Sequence, residues 1–298
     1  MITVDAHVHL WDPDLHDHAW LRAAGDAELR RSFGLDDLVA AAAPSSTHIV
    51  VQAGRTVAES RWLLGLAARS ARIAGVVIHG DLGDAAVVDT IDALRAGDGG
   101  SALVGLRDPV GAGDGARLGL ARVRRSMAAL AERGLTVDLL LGNGTLDDAY
   151  QATRDLPQVR FAVDHAAISA VDVRRDGLRG WAARLAPLGT LPNVVAKLSG
   201  LGKATAEPGG VRLPDVARVA LDVFGPHRLM FGSDWPVSTL WAPYGDVART
   251  TARALGGLTA DETAAVWGGT AAAAYGLGPP DTAGSANRMT TLLQGENP

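Results

Sequence analysis

The 298-residue chain has no cysteine. That excludes a disulfide frame, a thiol nucleophile and any thiolate metal site. Lysine is almost missing too: of 28 basic residues only Lys197 and Lys203 are lysines, the rest arginines. The net charge of −5 is spread along the chain with no basic block, which speaks against nucleic-acid or lipid surfaces, since both need clustered Lys and Arg. No apolar run approaches the roughly 20 residues of a membrane span. No basic leader-like region precedes the first strand-like stretch, so a cytoplasmic protein is expected. What the chain does have is 47% hydrophobic residues, enough for one sizeable core, and a length near that of one TIM-type barrel.

Short apolar, β-branched runs recur at residues 2–9, 48–53, 73–79, 102–107, 135–141, 159–164, 193–198 and 228–233. They read as strands, and the stretches between them, such as 57–71, 115–133 and 246–256, carry helical periodicity. Buried-type strands alternating with helices argue for parallel βαβ units, and eight strands close a barrel. A doubly wound open sheet would place a Gly-rich phosphate turn after its first strand, where this chain has His7-Val8-His9-Leu10-Trp11-Asp12-Pro13. The predicted fold is therefore a single (β/α)8 barrel over residues 1–278. Residues 279–298 form a tail or a strap across a neighbouring copy, which leaves room for a homodimer. The long connection at 10–35, with Trp11 and Trp20, is expected to fold over the barrel mouth, and the Gly- and Pro-rich segment 199–212 is a second long insertion.

In such a barrel the chemistry sits at the C-terminal ends of the strands. Strand 1 ends Asp5-Ala6-His7-Val8-His9. Strand alternation puts His7 and His9 on one face about 7 Å apart, where two imidazoles suit a divalent metal or the polarising of a carbonyl; Asp5 shares their parity and would support them. Strand 6 ends in His165, fit to bind a metal or a substrate carbonyl. Strand 8 ends Gly232-Ser233-Asp234-Trp235-Pro236. A carboxylate there needs a partner; the three histidines supply one and make Asp234 a general base for water. The structural alternative for Asp234 is a salt bridge to an arginine such as Arg228.

These motifs resemble the amidohydrolase superfamily, and more narrowly its amidohydrolase 2 branch of lactone hydrolases. Asp5 to Pro13, Val50-Val51-Gln52-Ala53, Asp164-His165, Val195 to Leu201 and Gly225 to Asp234 carry the likeness, which runs from residue 2 to about 277. The resemblance implies hydrolysis of a lactone derived from sugars or aromatic breakdown, so the expected ligand is a small-molecule substrate. Relatives with two metals bridge them through a lysine or glutamate after strand 4 and often add a histidine after strand 5. Here those places read Arg107-Asp108-Pro109 and Leu141-Gly142-Asn143. At most one ion, zinc or manganese, is then implied, on His7, His9 and Asp234 with His165, and the branch also holds members that work without metal. Asp108 stands where many relatives have histidine.

On the substrate side, Arg107 at the end of strand 4, Arg55 after strand 2 and Lys197 on strand 7 are candidates to clamp a carboxylate. His79 closes strand 3, and Trp235 is a candidate wall. His16 and His18 lie in an irregular loop and are not expected to ligate; His48 and His227 read as structural. The same residue set is compatible with an aromatic-acid decarboxylase or a cyclic-amide hydrolase, and a non-catalytic small-acid binder is the remaining alternative.

Overall fold

The computed structural model describes residues 4–278 apart from 24, 25, 172 and 207–209. Eight parallel strands follow one another in sequence order: β1 (Val4–Val8), β2 (Thr47–Val51), β3 (Ile73–His79), β4 (Leu103–Val110), β5 (Thr136–Leu141), β6 (Phe161–Val163), β7 (Val194–Leu198) and β8 (Leu229–Phe231). The ring closes where Asp234 N donates to His7 O (2.8 Å) and His9 N to Trp235 O (2.7 Å). These two bonds couple the end of β1 to the turn after β8. The expected (β/α)8 barrel is thus the observed one, and residues 279–298 lie outside the described part of the chain.

The strands form because Val, Ile and Leu dominate each run, and both faces are covered as in other parallel sheets. Ala6, Ile49, Val51, Val77, Val104 and Met230 fill the interior, and Ala271, Ala274 and Tyr275 belong to the same buried cluster. A larger apolar layer packs the strands against the helices. Each fully buried Val, Leu or Phe there contributes roughly 1.5–3 kcal/mol. The helix Val57–Arg69 starts at Thr56, whose hydroxyl accepts from Glu59 N at 3.2 Å, a cap worth about 1 kcal/mol. Leu213–Phe224 buries Val216, Ala217, Ala220 and Phe224, one stripe at helical spacing.

Three details depart from the sequence reading. The single helix expected at 115–133 is a 3-10 segment, Gly115–Gly119, then a helix Ala121–Glu132, separated by the extended Leu120. β4 continues past Arg107, because Asp108, Pro109 and Val110 pair with Leu139, Leu140 and Leu141 of β5. Third, simple alternation does not carry from Asp5 to His7. The β1–β2 register shifts between Asp5 and Val8, so Ala6 joins the interior cluster while Asp5 takes its bonds from Tyr244 Oη (2.9 Å), Ser233 N (2.9 Å) and His7 N (3.1 Å). Asp5 still supports the site, by tying β1 to the turn that carries Asp234. No helix among the described residues is long and apolar enough to cross a membrane.

Candidate active site

The ends of β1 and β8 converge on one cluster. His7 Nε2 and His9 Nε2 are 3.2 Å apart, and Asp234 Oδ1 lies 3.8 Å from the first and 3.5 Å from the second. All three residues are buried. Asp234 has its backbone in the left-handed region (φ 59°), which Asp tolerates better than most residues. Burial alone would raise the Asp234 carboxyl; His9 and then His165 and His7 hold it below the usual carboxylate range, so it is ionised.

The backbone and a buried ionic layer fix the two imidazoles. His9 Nδ1 meets Val51 O at 2.6 Å. A carbonyl only accepts, so Nδ1 carries the proton and Nε2 keeps its lone pair. His7 Nδ1 faces both Lys197 Nζ (3.2 Å) and Asp164 Oδ1 (3.3 Å). With Lys197 donating, His7 Nε2 carries a proton for His9 Nε2, a closed chain without an ion. With Asp164 accepting, two lone pairs face each other at 3.2 Å and call for a cation. Burial, with Lys197 second, keeps His7 well below its ordinary pKa, and burial also lowers that of His9. Both are neutral, the form that ligates metal.

Below His7, Lys197 lies against Asp138 Oδ2 (2.5 Å) and Asp164 Oδ1 (2.9 Å) with all three side chains fully buried. Tyr275 Oη donates to Asp138 (2.9 Å). Burial would lower the Lys197 pKa, but the two carboxylates override it and the ammonium persists. The structure therefore places Lys197 under the histidines, not on a substrate-facing wall.

Above the cluster opens a cavity of about 530 Å³ whose lining includes His9, His79, Arg107, His165, Asp234 and Trp20. Arg55 also lines it. Arg107 is fixed by donating to Gln52 O (2.6 Å) and by Asp164 Oδ2 at 3.6 Å. Trp235 is not among the lining residues; it is buried with its ring 5.6 Å from Phe33. His165 stands beside the three-residue cluster, its ring 4.8 Å from that of His7. Its Nδ1 meets Ser199 Oγ at 2.9 Å. His165, Ala166 and Ala167 all have positive φ, and a Cβ on Gly200 (φ 59°) would sit 2.3 Å from His165 Nδ1. Only glycine lets that loop support the ring. Asp108 is taken up by Arg117 (2.5 Å) and Leu82 N (3.0 Å) away from the cavity.

Sequence reading missed the supports. Asp138 and Asp164 are carboxylates within or directly after apolar strands, a signal that a buried cation must exist. Glu59, read only as a helical residue, accepts from His18 Nε2 (3.1 Å), Gly54 N (3.0 Å) and Gln52 Nε2 (3.2 Å). Gln52 in turn accepts from His79 N (2.9 Å). This network pins the 10–35 connection, which brings Asp17 and Trp20 to the cavity, onto the ends of β2 and β3.

The amidohydrolase family profile matches residues 4–277. The chain belongs to the amidohydrolase family. Two curated relatives of this amidohydrolase are named L-fucono-1,5-lactonase. The one from Burkholderia multivorans is 36% identical over 94% of this chain and 97% of its own. The one from Burkholderia ambifaria is 31% identical over 93% and 96%. A crystal structure of a B. multivorans amidohydrolase with bound zinc superposes with a TM-score of 0.82 at 33% identity, covering 93% of this chain and all of that one. The family expected from the strand-end motifs is the family found.

The donor set of this amidohydrolase fits a single divalent ion. In His7, His9 and Asp234, potential ligand atoms all lie within 4.8 Å of one another. The separations of 3.2, 3.5 and 3.8 Å bracket the edge of roughly 3.3 Å of a tetrahedron with zinc–ligand bonds near 2.0 Å. Three protein ligands with a fourth position free is the catalytic rather than the structural arrangement. His165 lies outside that set.

Proposed function

We propose that this amidohydrolase opens a sugar-derived lactone, with L-fucono-1,5-lactone the first candidate, by attack of water with Asp234 as general base. The observation that carries the reading is Asp234, kept ionised beside His7 and His9 at the floor of the cavity. The names of the two full-length relatives set the substrate class.

The lactone enters from the mouth with its carbonyl oxygen toward the imidazoles. Asp234 takes a proton from water as the water oxygen bonds to the carbonyl carbon. Charge develops on the former carbonyl oxygen, where His165, whose Nδ1 is taken by Ser199 Oγ, offers its Nε2–H to stabilise it. The ring C–O bond then breaks and Asp234 returns its proton to the leaving alcohol, giving a hydroxy acid. A zinc or manganese ion held by His7, His9 and Asp234 would supply Lewis-acid chemistry at this point. Arg107, Arg55 and His79 favour a polyhydroxylated or carboxylated substrate and help to receive the anionic product.

Proton release followed with an indicator tests the reading, on L-fucono-1,5-lactone, other aldonolactones and pyrone carboxylates, with metal-stripped and zinc- or manganese-loaded protein. Turnover of an aldonolactone is expected. Inert lactones together with CO2 release from an aromatic acid would overturn it in favour of a decarboxylase.

A further inference from the structure

A second cavity, of about 320 Å³, lies behind the site between the ends of β7 and β8 and the helix Tyr244–Ala254, and Asp234 lines both cavities. The two differ in character. The mouth carries Arg55, Arg107, His79, His9 and His165. The rear cavity has no Lys, Arg or His among its described lining residues. Apart from Asp234 its polar groups are mostly hydroxyls, among them Ser199, Ser233 and Ser238 at depth and Thr250 at the exposed end.

One of these hydroxyls touches the chemistry: Ser199 Oγ meets His165 Nδ1 at 2.9 Å. Ser238 is tied to Asp234 through the backbone, its N donating to Asp234 O at 2.9 Å. Ser238 is 7% exposed and its Oγ has no protein partner. A buried hydroxyl of that kind is ordinarily completed by ordered water.

We propose that the rear cavity is the water inlet of this hydrolase: a file of ordered water running from Thr250 past Ser238 to Asp234. The proposal rests on the hydrolase reading, because hydrolysis consumes one water per turnover while the lactone fills the mouth. The inlet's charge fits that division. The product is an anion, which the basic mouth attracts and a rear cavity whose described lining residues carry no charge but that of Asp234 repels, so water enters at one side and the acid leaves at the other. In the step itself one O–H proton passes to Asp234, the water oxygen bonds to the carbonyl carbon, and the ring oxygen later recovers that proton.

Two measurements test it. A high-resolution crystal structure of the wild-type protein is expected to place water at hydrogen-bond distance from Ser238 Oγ, continuing toward Asp234; a dry rear cavity overturns the proposal whatever the substrate proves to be. Ala242→Leu and Thr250→Leu narrow the cavity from two sides away from the reacting groups. Each is expected to lower kcat about tenfold, as the loss of a positioned water would, with KM and melting temperature unchanged and Thr250→Ser behaving as wild type. A folded narrowing variant with unchanged kcat, or one that raises KM instead, overturns it. Wild-type protein inert toward every lactone would sink the function reading alone and leave the crystallographic test standing.

Discussion

Asp234 is held on both sides by its own backbone, N to His7 O and O to Ser238 N, so its carboxyl has little freedom to leave the histidines. That rigidity makes Asp234→Asn a clean probe. The amide has nearly the same shape but cannot take the proton of water, and kcat should fall by at least about 100-fold, the low end for a lost general base. A variant with kcat within threefold of wild type in steady-state assays would contradict Asp234 as the base. His9 offers a separate probe. Its Nδ1 is committed to Val51 O, so only Nε2 can ligate; zinc-loaded and desalted wild-type protein is expected to keep one ion per chain and His9→Gln to lose it. Metal content by plasma spectrometry decides this, and retention of zinc by the variant would mean that the ion sits elsewhere.

At the scale of elements, β5, β6 and β7 meet in the layer Asp138–Lys197–Asp164 under His7. Lys197→Met keeps most of the volume but leaves two buried carboxylates facing each other, and breaking such a pair costs about 3–5 kcal/mol. The urea midpoint should drop accordingly, and an unchanged midpoint would show that the layer is not held by charge. This layer also marks where sequence reading stops. Strand positions were legible because β-branched runs end at turn-forming residues, and His7, His9, His165 and Asp234 were legible because a barrel brings strand ends together. How far along its strand a residue sits was not. Lys197 and Arg107 looked alike as basic residues near strand ends, yet one is a fully buried support and the other lines the cavity. The register shift in β1 that takes Asp5 off the face shared by His7 and His9 is a property of two strands, so no pattern in one reveals it. Glu59 belongs here as well. Its bonds from His18, Gly54 and Gln52 join the connection over the mouth to β2, and hydrogen bonds to charged groups are worth about 1.5–3 kcal/mol. Glu59→Gln should therefore raise KM about tenfold with little change in kcat, since it loosens a wall that binds the substrate and leaves the base in place. A fall in kcat at constant KM would contradict that role.

For the molecule as a whole, closing the barrel buries imidazoles at both ends, and this sets its response to acid. His48 sits at the opposite end of the barrel from the site, bonded to Arg72 O (3.0 Å) and Ser46 Oγ (3.3 Å), and burial lowers its pKa to about 4. The unfolded chain binds a proton at this position near 6.5 while the folded chain resists it, so stability is lost as pH falls from 6.5 toward 4. Asp5 has the opposite slope. Burial raises it to about 6, so its contribution is full below the ordinary carboxylate value and disappears as pH rises through 6. The two oppose each other across the same acid range, and the net curve of the wild type conceals both. Replacing His48 with Gln separates them. Between about pH 7.5 and about pH 4 the variant should lose about 3 kcal/mol less stability than wild type in urea titrations. Equal losses in the two proteins would mean that His48 titrates alike in the folded and unfolded chains, and that the barrel floor admits a proton its geometry leaves no room to solvate.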